Sequence, residues 1–282
     1  MIVLPGDVSM ESLKNRKVLP NIVTSFNEEG YKRYGEAFIE TFLKYWSPSI
    51  RLTVYYEGEN FPFTHGLSWT PIEEVEHLAD YMANLRFPIM HGIVGNHYNI
   101  QFDARQSRKV FIEMHALKKY GGKVFWIDAD TVTHSHVPET FLDDVLPDDK
   151  FCCFHGRDGW MYSETGFIGY NGNHPIASKF RKNYIGMYIA GVNFTMPGWH
   201  DCYGFDAIRH QVFGNSDDFV DLAKDLPRGT MHPVVNSVCG KYLDHRKGPR
   251  KESRSTSKDL VIERTEDYWK QSATHPASTA QA

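Results

Sequence analysis

The chain has 282 residues, of which 41% are hydrophobic and 23% are charged. This composition is typical of a globular protein that can bury a sizeable core, and it excludes wholesale disorder. The formal net charge is −4, so the surface as a whole does not attract polyanions. Binding to nucleic acid would therefore need a local basic patch, for which the segment 245–254 is a candidate.

The apolar stretches, the N-terminus and the cysteines of the sequence predict a cytoplasmic location. No apolar stretch is long enough to span a bilayer, and the N-terminus lacks the basic start and apolar core of a signal peptide. None of the cysteines forms a Cys-x-x-Cys pair, so we expect buried thiols and neither disulfides nor a zinc site. They are Cys152, Cys153, Cys202 and Cys239. We therefore predict a soluble, cytoplasmic protein.

Strand and helix patterns alternate from the beginning of the chain. Residues 18–26 predict a first strand, and Asn27 is a suitable N-cap for the helix that follows, with two acids in its first turn. Residues 51–56 predict a second strand, and this order predicts a right-handed βαβ unit. An aromatic stripe at three- and four-residue steps marks the intervening helix: Tyr31, Tyr34, Phe38, Phe42 and Tyr45.

The alternation continues through the middle of the chain. Apolar positions in 72–82 predict one amphipathic helix, and 103–120 predict a longer helix that two glycines stop. The apolar run 124–127 predicts a strand buried on both faces. Further strands are predicted over 151–154 and 166–170, and a further helix over 173–190.

These elements predict one α/β domain over residues 15–270. Its core would be a mixed, Rossmann-type sheet flanked by helices, with an irregular C-terminal part. Residues 271–282 are rich in Ser, Thr, Ala and Gln, and we predict a mobile tail there.

Two acidic residues follow directly on the buried strand, in the segment Asp128-Ala129-Asp130. In open α/β sheets, ligands bind beyond the carboxyl ends of the strands. Two carboxylates one residue apart can bind the same hard cation, and Mg²⁺ or Mn²⁺ is commonly shared between carboxylates and phosphates. The alternative is an ordinary polar strand end.

The segment 124–131, Val-Phe-Trp-Ile-Asp-Ala-Asp-Thr, resembles the metal-binding segment of glycosyltransferases of the GT-A fold. Residues 245–251 fit His-x-x-Gly-x-x-Lys, which is similar to the C-terminal motif of the glycogenin-like and bacterial galactosyltransferase-like members. At 252–253 the chain has Glu-Ser, where those relatives often have Pro-Trp after the lysine. The resemblance covers roughly residues 18–251 and implies a GT-A-like fold.

The resemblance also implies a metal and a donor. A nucleotide-sugar, with UDP favoured, would be the donor, and Mn²⁺ or Mg²⁺ would lie against its diphosphate. An imidazole suits Mn²⁺ better than Mg²⁺. The implied metal ligands are Asp128, Asp130 and His245. Gly248 and Lys251 would meet the diphosphate.

Further donor-binding residues follow from the resemblance. The end of the first strand would hold the nucleoside, and an aromatic residue at the end of the second could stack on the base. Basic residues at the start of the helix before the acidic pair would reach the phosphates or the sugar; the alternative is an exposed helix face. The donor-binding residues implied are Thr24, Ser25, Phe26, Tyr56, Arg105, Arg108, Lys109, Asp128, Ala129, Gly248 and Lys251.

Two segments supply candidates for the acceptor side. Residues 164–171 resemble the part of such enzymes that touches the transferred sugar. Trp199, His200 and Asp201 combine a ring, an imidazole and a carboxylate, a composition suited to holding a sugar hydroxyl and removing its proton. The alternative is a capped turn after Pro197. The candidate catalytic residues are Asp201, Glu164 and Lys251.

We therefore predict a hexosyltransferase that acts on an acceptor hydroxyl of a glycan, or of a hydroxymethylated base in DNA. One alternative is a haloacid-dehalogenase-like phosphatase that uses Asp128 and Asp130, with 214–218 as its distal acidic motif. Against it, Gly214 follows a predicted helix end, whereas that motif should follow a buried strand. The other alternative is a non-catalytic protein that binds a nucleotide-sugar or a carbohydrate.

Overall fold

The computed structural model describes residues 19–59, 61, 63–85, 100–157, 159–196, 198, 200–214, 216–253 and 259–270. For residues 100–105 and 252–253 the description covers the backbone alone. The first residues of the predicted domain, 15–18, and the predicted tail, 271–282, lie outside the described residues.

Strands and helices alternate through most of the described chain. The strands are β1 (Asn21–Asn27), β2 (Arg51–Glu57), β3 (Ser68–Pro71), β4 (Lys123–Ile127), β5 (Thr131–Thr133), β6 (Cys152–His155), β7 (Glu164–Asn171), β8 (Phe219–Asp221) and β9 (Leu243–His245). The helices are α1 (Glu36–Tyr45), α2 (Leu78–Asn84), α3 (Ile100–Tyr120), α4 (Phe141–Val145), α5 (Ala177–Ile189), α6 (Asp201–Phe213), α7 (Pro233–Asn236), α8 (Arg250–Ser253) and α9 (Asp267–Lys270).

Seven strands form one mixed sheet in the order β3-β2-β1-β4-β7-β6-β8. The first four are parallel to one another, whereas β7 is antiparallel to both β4 and β6. Strands β5 and β9 form a separate antiparallel pair. Helices cover the sheet, so the predicted fold class, a mixed α/β sheet in a single domain, is confirmed.

The central strand β4 is buried along its whole length, as its continuous apolar run predicts. Its side chains alternate between two cores. Val124 and Trp126 point into the core packed against α3 and α5, while Phe125 and Ile127 point into the core packed against α1 and α4. Packing in these two cores therefore fixes the end of β4 from both faces of the sheet.

Two helix predictions need correction at their boundaries. Residues 72–82 do not form one helix: a 3₁₀ turn spans Ile72–Glu74, His77 has a φ of 66°, and α2 begins only at Leu78. A 3₁₀ turn repeats every three residues, so Ile72 and Val75 are buried on one face despite the break. The helix predicted over 173–190 begins at Ala177, after a turn.

The helix before β2 starts as predicted. The Asn27 side chain accepts a hydrogen bond from the Gly30 amide at 2.8 Å, which is N-cap geometry. Asn27 caps a short α-helical turn, Glu28–Gly30, and a π-helical turn, Tyr31–Gly35, then leads into α1. No helix in the described part of the chain is long and apolar enough to cross a membrane.

A buried carboxyl group in α3 makes the stability of the fold depend on pH. Glu113 is 2% exposed, and its Oε2 accepts a hydrogen bond from the Tyr170 hydroxyl at 3.0 Å. Burial raises the pKa of Glu113 to about 8, although Lys109 opposes the shift. The ordinary pKa of this carboxyl group is 4.5. Between pH 4.5 and about pH 8, the folded protein therefore binds more protons at Glu113 than the unfolded chain does.

We predict that the contribution of Glu113 to stability is lost as the pH rises through this window. The neutral isostere in Glu113→Gln removes the titration, so the variant should gain stability relative to wild type between pH 5 and pH 8. Urea unfolding at several pH values measures the difference. If the two proteins lose stability in parallel across the window, Glu113 is not the group responsible.

Candidate active site

A cleft of about 800 Å³ opens at the carboxyl ends of β1 and β4. Because β7 is antiparallel to β4, the beginning of β7 lies at this same edge, with Ile127 opposite Phe167. The pairing continues past the end of β4, since the Asp128 amide donates to the Gly166 carbonyl at 2.8 Å. The acidic pair and the first residues of β7 thus share one edge of the sheet.

The small β5–β9 sheet brings the two sequence motifs together. Thr131 pairs with His245, and the Arg246 amide donates to the Asp130 carbonyl at 2.9 Å. The His245 Nε2 atom consequently lies 3.1 Å from Asp130 Oδ1 and 3.4 Å from Asp128 Oδ2. The predicted metal-ligand set therefore combines residues from the middle of the chain with one from its C-terminal part.

Glu164 joins this group from the start of β7. One ligand atom from each of Asp128, Glu164 and His245 lies within 4.8 Å of the other two. Carboxylate oxygens suit both Mn²⁺ and Mg²⁺, whereas an imidazole suits Mn²⁺ better than Mg²⁺. The Nδ1 atom of His245 is buried without a hydrogen-bond partner. These residues fit a divalent cation, with Glu164 as a ligand candidate that the sequence motifs did not include.

Cationic side chains surround the acidic cluster. Lys251 Nζ lies 2.7 Å from Asp130 Oδ2, Arg157 lies 2.8 Å from Glu164, and Lys247 also contacts Glu164. Burial alone would raise the pKa of Glu164. The nearby charges of Lys247, His245 and Arg157 outweigh burial and hold this pKa below its usual value. For Asp128, burial is likewise outweighed by Lys109 and His245, which lower the pKa. Both carboxylates are therefore ionised and able to bind a cation.

Lys109 joins three other residues, Asp128, Thr165 and Asp201, which together with it form the floor of the cleft. Its Nζ lies 3.0 Å from Asp201 Oδ2 and 3.3 Å from Asp128 Oδ1, and it donates to the Thr165 carbonyl at 2.8 Å. The Thr165 hydroxyl donates to Asp201 at 2.6 Å. Burial disfavours the ammonium form, but Asp128 and Asp201 raise the pKa of Lys109 above its ordinary value. Lys109 is therefore a fixed internal cation.

Many of the predicted site residues line the cleft. They are Ser25, Lys109, Asp128, Ala129, Asp130, Glu164, His200, Asp201 and Lys251. Gly248 has a φ of +56°, which explains the glycine in the turn between His245 and Lys251. Trp199 lies outside the described residues, as does the side chain of Arg105.

Besides Gly248, four predicted donor-binding residues in the described part of the chain do not line the cleft. Thr24 is completely buried in β1, since alternation along the strand turns Ser25 toward the cleft instead. Phe26 packs against Phe61, and Tyr56 packs against the same ring. Arg108 pairs with Glu57 at 2.9 Å.

Several cleft residues escaped prediction from the sequence. Arg157 follows a short strand without any motif, and two of its three hydrogen bonds go to the carbonyls of Tyr162 and Met231. Lys247 lies inside the recognised motif but at one of its variable positions. The other cleft residues are Tyr34, Gln106, Met161, Tyr162, Ser163, Thr165, Cys202, Met231, His232 and Asp259.

The loop that carries His245 and Lys251 is fixed by a buried ion pair. Asp244 has no exposed surface, and it accepts two hydrogen bonds from Arg250 at 2.7 and 2.8 Å and one from the Tyr268 hydroxyl at 2.7 Å. Arg250 also donates to the His245 carbonyl. Tyr268 belongs to α9, so the C-terminal segment supports the loop.

Comparison with known proteins gives structural neighbours only. No family model matches the chain, and no curated protein matches it. Mouse xyloside xylosyltransferase 1, in its apo form, is similar with a TM-score of 0.43 and 11% identity over 72% of this chain and 84% of that one.

Two further solved structures are similar. The bifunctional glycosyltransferase WbbM has a TM-score of 0.44 and 15% identity, and the match covers 74% of this chain and 39% of that one. GlyE of Streptococcus pneumoniae has a TM-score of 0.41 and 13% identity, covering 72% and 44%. At these levels, similarity assigns neither a family nor an activity to this chain.

Gly166 provides the space that His245 occupies, which gives a test of the cluster. A Cβ at Gly166 would overlap the His245 ring and lie 2.7 Å from its Nδ1. Gly166→Ala should therefore displace the imidazole, weaken Mn²⁺ binding and cost about 1–3 kcal/mol of stability. Titration calorimetry with Mn²⁺ measures the first effect. Gly186→Ala, in α5 with open space around it, is the matched control. Unchanged Mn²⁺ affinity in Gly166→Ala would contradict the assigned position of His245.

Arg250→Met tests the support of the loop. The change keeps most of the side-chain volume but leaves Asp244 buried without its main cation, so we expect a loss of roughly 3–5 kcal/mol in the free energy of unfolding. Urea denaturation measures it. Lys270→Met removes an exposed pair with Asp267 and should change stability by less than about 0.5 kcal/mol. Similar losses in both variants would show that Asp244 does not depend on Arg250.

Proposed function

We propose that this protein is a metal-dependent glycosyltransferase that moves a sugar from a nucleotide-sugar to an acceptor hydroxyl. The observation that carries the proposal is the grouping of ligand atoms from Asp128, Glu164 and His245 at the edge of a cleft. The two carboxylates line this cleft together with four basic side chains. A divalent cation and a diphosphate are the ligands that such a combination suits.

The proposed donor is a UDP-sugar with Mn²⁺ or Mg²⁺. Asp128, Asp130, Glu164 and His245 would hold the cation, which would neutralise charge on the departing nucleoside diphosphate. Ser25, Tyr34 and Gln106 line the part of the cleft nearest β1 and α3, where we place the nucleoside. A uridine there would lie beyond the ends of the parallel strands, as ligands of open α/β sheets do.

The cations of the cleft fall into two groups with different proposed roles. The side chains of Lys109 and Arg157 are 9% and 5% exposed and bind protein groups from several directions. Those of Lys247 and Lys251 are 40% and 29% exposed and lie on either side of Gly248. We propose that Lys247 and Lys251 transfer their contacts from Glu164 and Asp130 to the diphosphate. Their charge then stabilises the leaving group.

The carboxylates near the sugar are held in place before any ligand binds. Arg157 orients Glu164, which we propose contacts the transferred sugar or the metal. Lys109 and Thr165 orient Asp201, so the Asp201 carboxylate is held in a fixed position in the cleft. That Asp201 removes the acceptor's proton stays a prediction.

Within the described side chains of the basic segment, residues 245–251, the contacts do not favour DNA as the acceptor. Arg246 and Arg250 lie against Asp244, and Lys247 and Lys251 contact Glu164 and Asp130. These charges therefore point into the protein and the cleft, whereas phosphate contacts need an outward basic surface. We propose a glycan acceptor.

The phosphatase alternative lacks its distal motif in the described structure. Helix α6 ends at Phe213, and Gly214 is its C-cap, so the segment 214–218 does not follow a buried strand. Neither Asp217 nor Asp218 is among the residues that line the cleft.

The proposal is tested by release of nucleoside diphosphate from a panel of nucleotide-sugars in the presence of Mn²⁺. We expect slow hydrolysis of one donor that stops with EDTA and falls roughly 100-fold or more in Asp130→Ala, because the cation loses a carboxylate. Asp149→Asn, on the surface, should match wild type.

The result also separates the alternatives. Donor binding by calorimetry without any release, even after glycosides are added, would support the non-catalytic binding protein and overturn the proposal. Metal-dependent hydrolysis of a general phosphate ester without a nucleotide-sugar would support the phosphatase.

A further inference from the structure

We propose that Tyr162 and His200 form an aromatic wall against which an acceptor sugar ring packs. The inference rests on the proposed function, since it names the acceptor class of the same cleft. Both residues line the cleft and are partly exposed, whereas Glu164, Thr165 and Asp201 beside them are buried.

The wall is a group of three rings. Tyr162 and His200 are nearly parallel, with centroids 5.6 Å apart and planes 20° apart. Tyr203 packs behind them, 4.5 Å from the Tyr162 centroid. Gly198 makes room for this packing, because a Cβ there would overlap the Tyr203 ring. The rings support one another, and the guanidinium carbon of Arg157 lies over the Tyr162 ring, 5.9 Å from its centroid. These contacts give the cluster a fixed shape.

The wall is tied to the acidic cluster. Arg157 donates to the Tyr162 carbonyl at 2.8 Å and to Glu164 at 2.8 Å, so a single guanidinium fixes both residues. Between them, the Ser163 amide and hydroxyl donate to Asp206 of α6, each at 2.7 Å. Strand and helix are thereby joined, and the rings keep a constant position relative to Glu164. Such preorganisation reduces the entropic cost of binding.

The position of the wall favours the acceptor over the donor. The strand order β1-β4-β7 puts Ser25 at one side of the acidic cluster, whereas Tyr162 precedes β7 on the other side. A nucleoside near Ser25 and a diphosphate at the cluster would direct the anomeric carbon toward Glu164. The group that attacks this carbon must then arrive from the side of Tyr162 and His200.

The chemistry of the wall favours a sugar ring. Aromatic faces are electron-rich and attract the positive edge of C–H groups, which a pyranose presents on one face. The charged groups of the floor can bind its hydroxyls. Tyr162 and His200 are thus specificity-determining residues for a carbohydrate acceptor.

The test compares Tyr162→Phe, which keeps the ring, with Tyr162→Leu, which keeps apolar bulk but removes the ring face. The probes are methyl β-glucoside, methyl β-galactoside and methyl β-xyloside. Saturation-transfer NMR is recorded with UDP and diamagnetic Mg²⁺ present. Tyr45→Leu removes a partly buried ring on α1 and is the matched control. Thermal melting verifies that each variant is folded.

We expect saturation of the ring C–H protons of at least one glycoside by wild type, Tyr162→Phe and Tyr45→Leu. Tyr162→Leu should bind that glycoside up to about tenfold more weakly, while its affinity for UDP is unchanged. Saturation of no glycoside by wild type, or equal binding by Tyr162→Leu, would overturn the wall. Parallel loss of UDP affinity would overturn it too, since Tyr162 would then belong to the donor site.

The outcomes of this test distinguish failure of the aromatic wall from failure of the proposed function. Donor hydrolysis by wild type without any glycoside binding would retain the transferase and reject the wall. Glycoside binding that depends on Tyr162, without release of nucleoside diphosphate from any donor, would retain the wall as a carbohydrate site and reject the transferase.

Discussion

The antiparallel pairing of β7 with β4 is the constraint on which the cleft depends. Strand β4 ends where β7 begins, so the hydrogen bond from the Asp128 amide to the Gly166 carbonyl sets Asp128 beside Glu164. Gly166 lacks a side chain, and the imidazole of His245 occupies the space thus left. A parallel strand at this position would end at the cleft edge instead of beginning there, and its first residues would lie at the opposite edge of the sheet.

Charge compensation explains why so many ionised groups can share this edge. A carboxylate removed from water is costly unless a cation and hydrogen-bond donors accompany it. Lys109 and Arg157 supply permanent compensation, since each binds several protein groups. Lys247 and Lys251 supply compensation from more exposed side chains, which in the proposed function a ligand would replace. Entry of a divalent cation with a diphosphate would exchange one set of opposite charges for another, so the cleft need not reorganise its floor.

The sequence predicts the parts of this site that depend on local pattern. The run 124–127 followed by two acids indicates a buried strand whose end lies at the cleft. His245 and Lys251, which contact these acids, are found through their spacing. Strand β1 is buried on both faces, so its sequence does not say whether Thr24 or Ser25 turns toward the cleft. Arg157 could not be predicted, because most of its partners are carbonyl oxygens that any residue could supply.

The orientation of the basic segment 245–254 could likewise not be predicted from its composition. Composition alone favours an outward, anion-binding surface. Pairing of β9 with β5 instead turns His245 toward the acids, and the left-handed turn at Gly248 brings Lys251 back to Asp130. Arg250 and Tyr268 hold Asp244, so the orientation of the segment depends on α9 near the end of the described chain. The acidic pair belongs to the central sheet, but its imidazole partner is in place only when the C-terminal segment has packed. Packing of the C-terminal segment therefore completes the candidate metal-binding group.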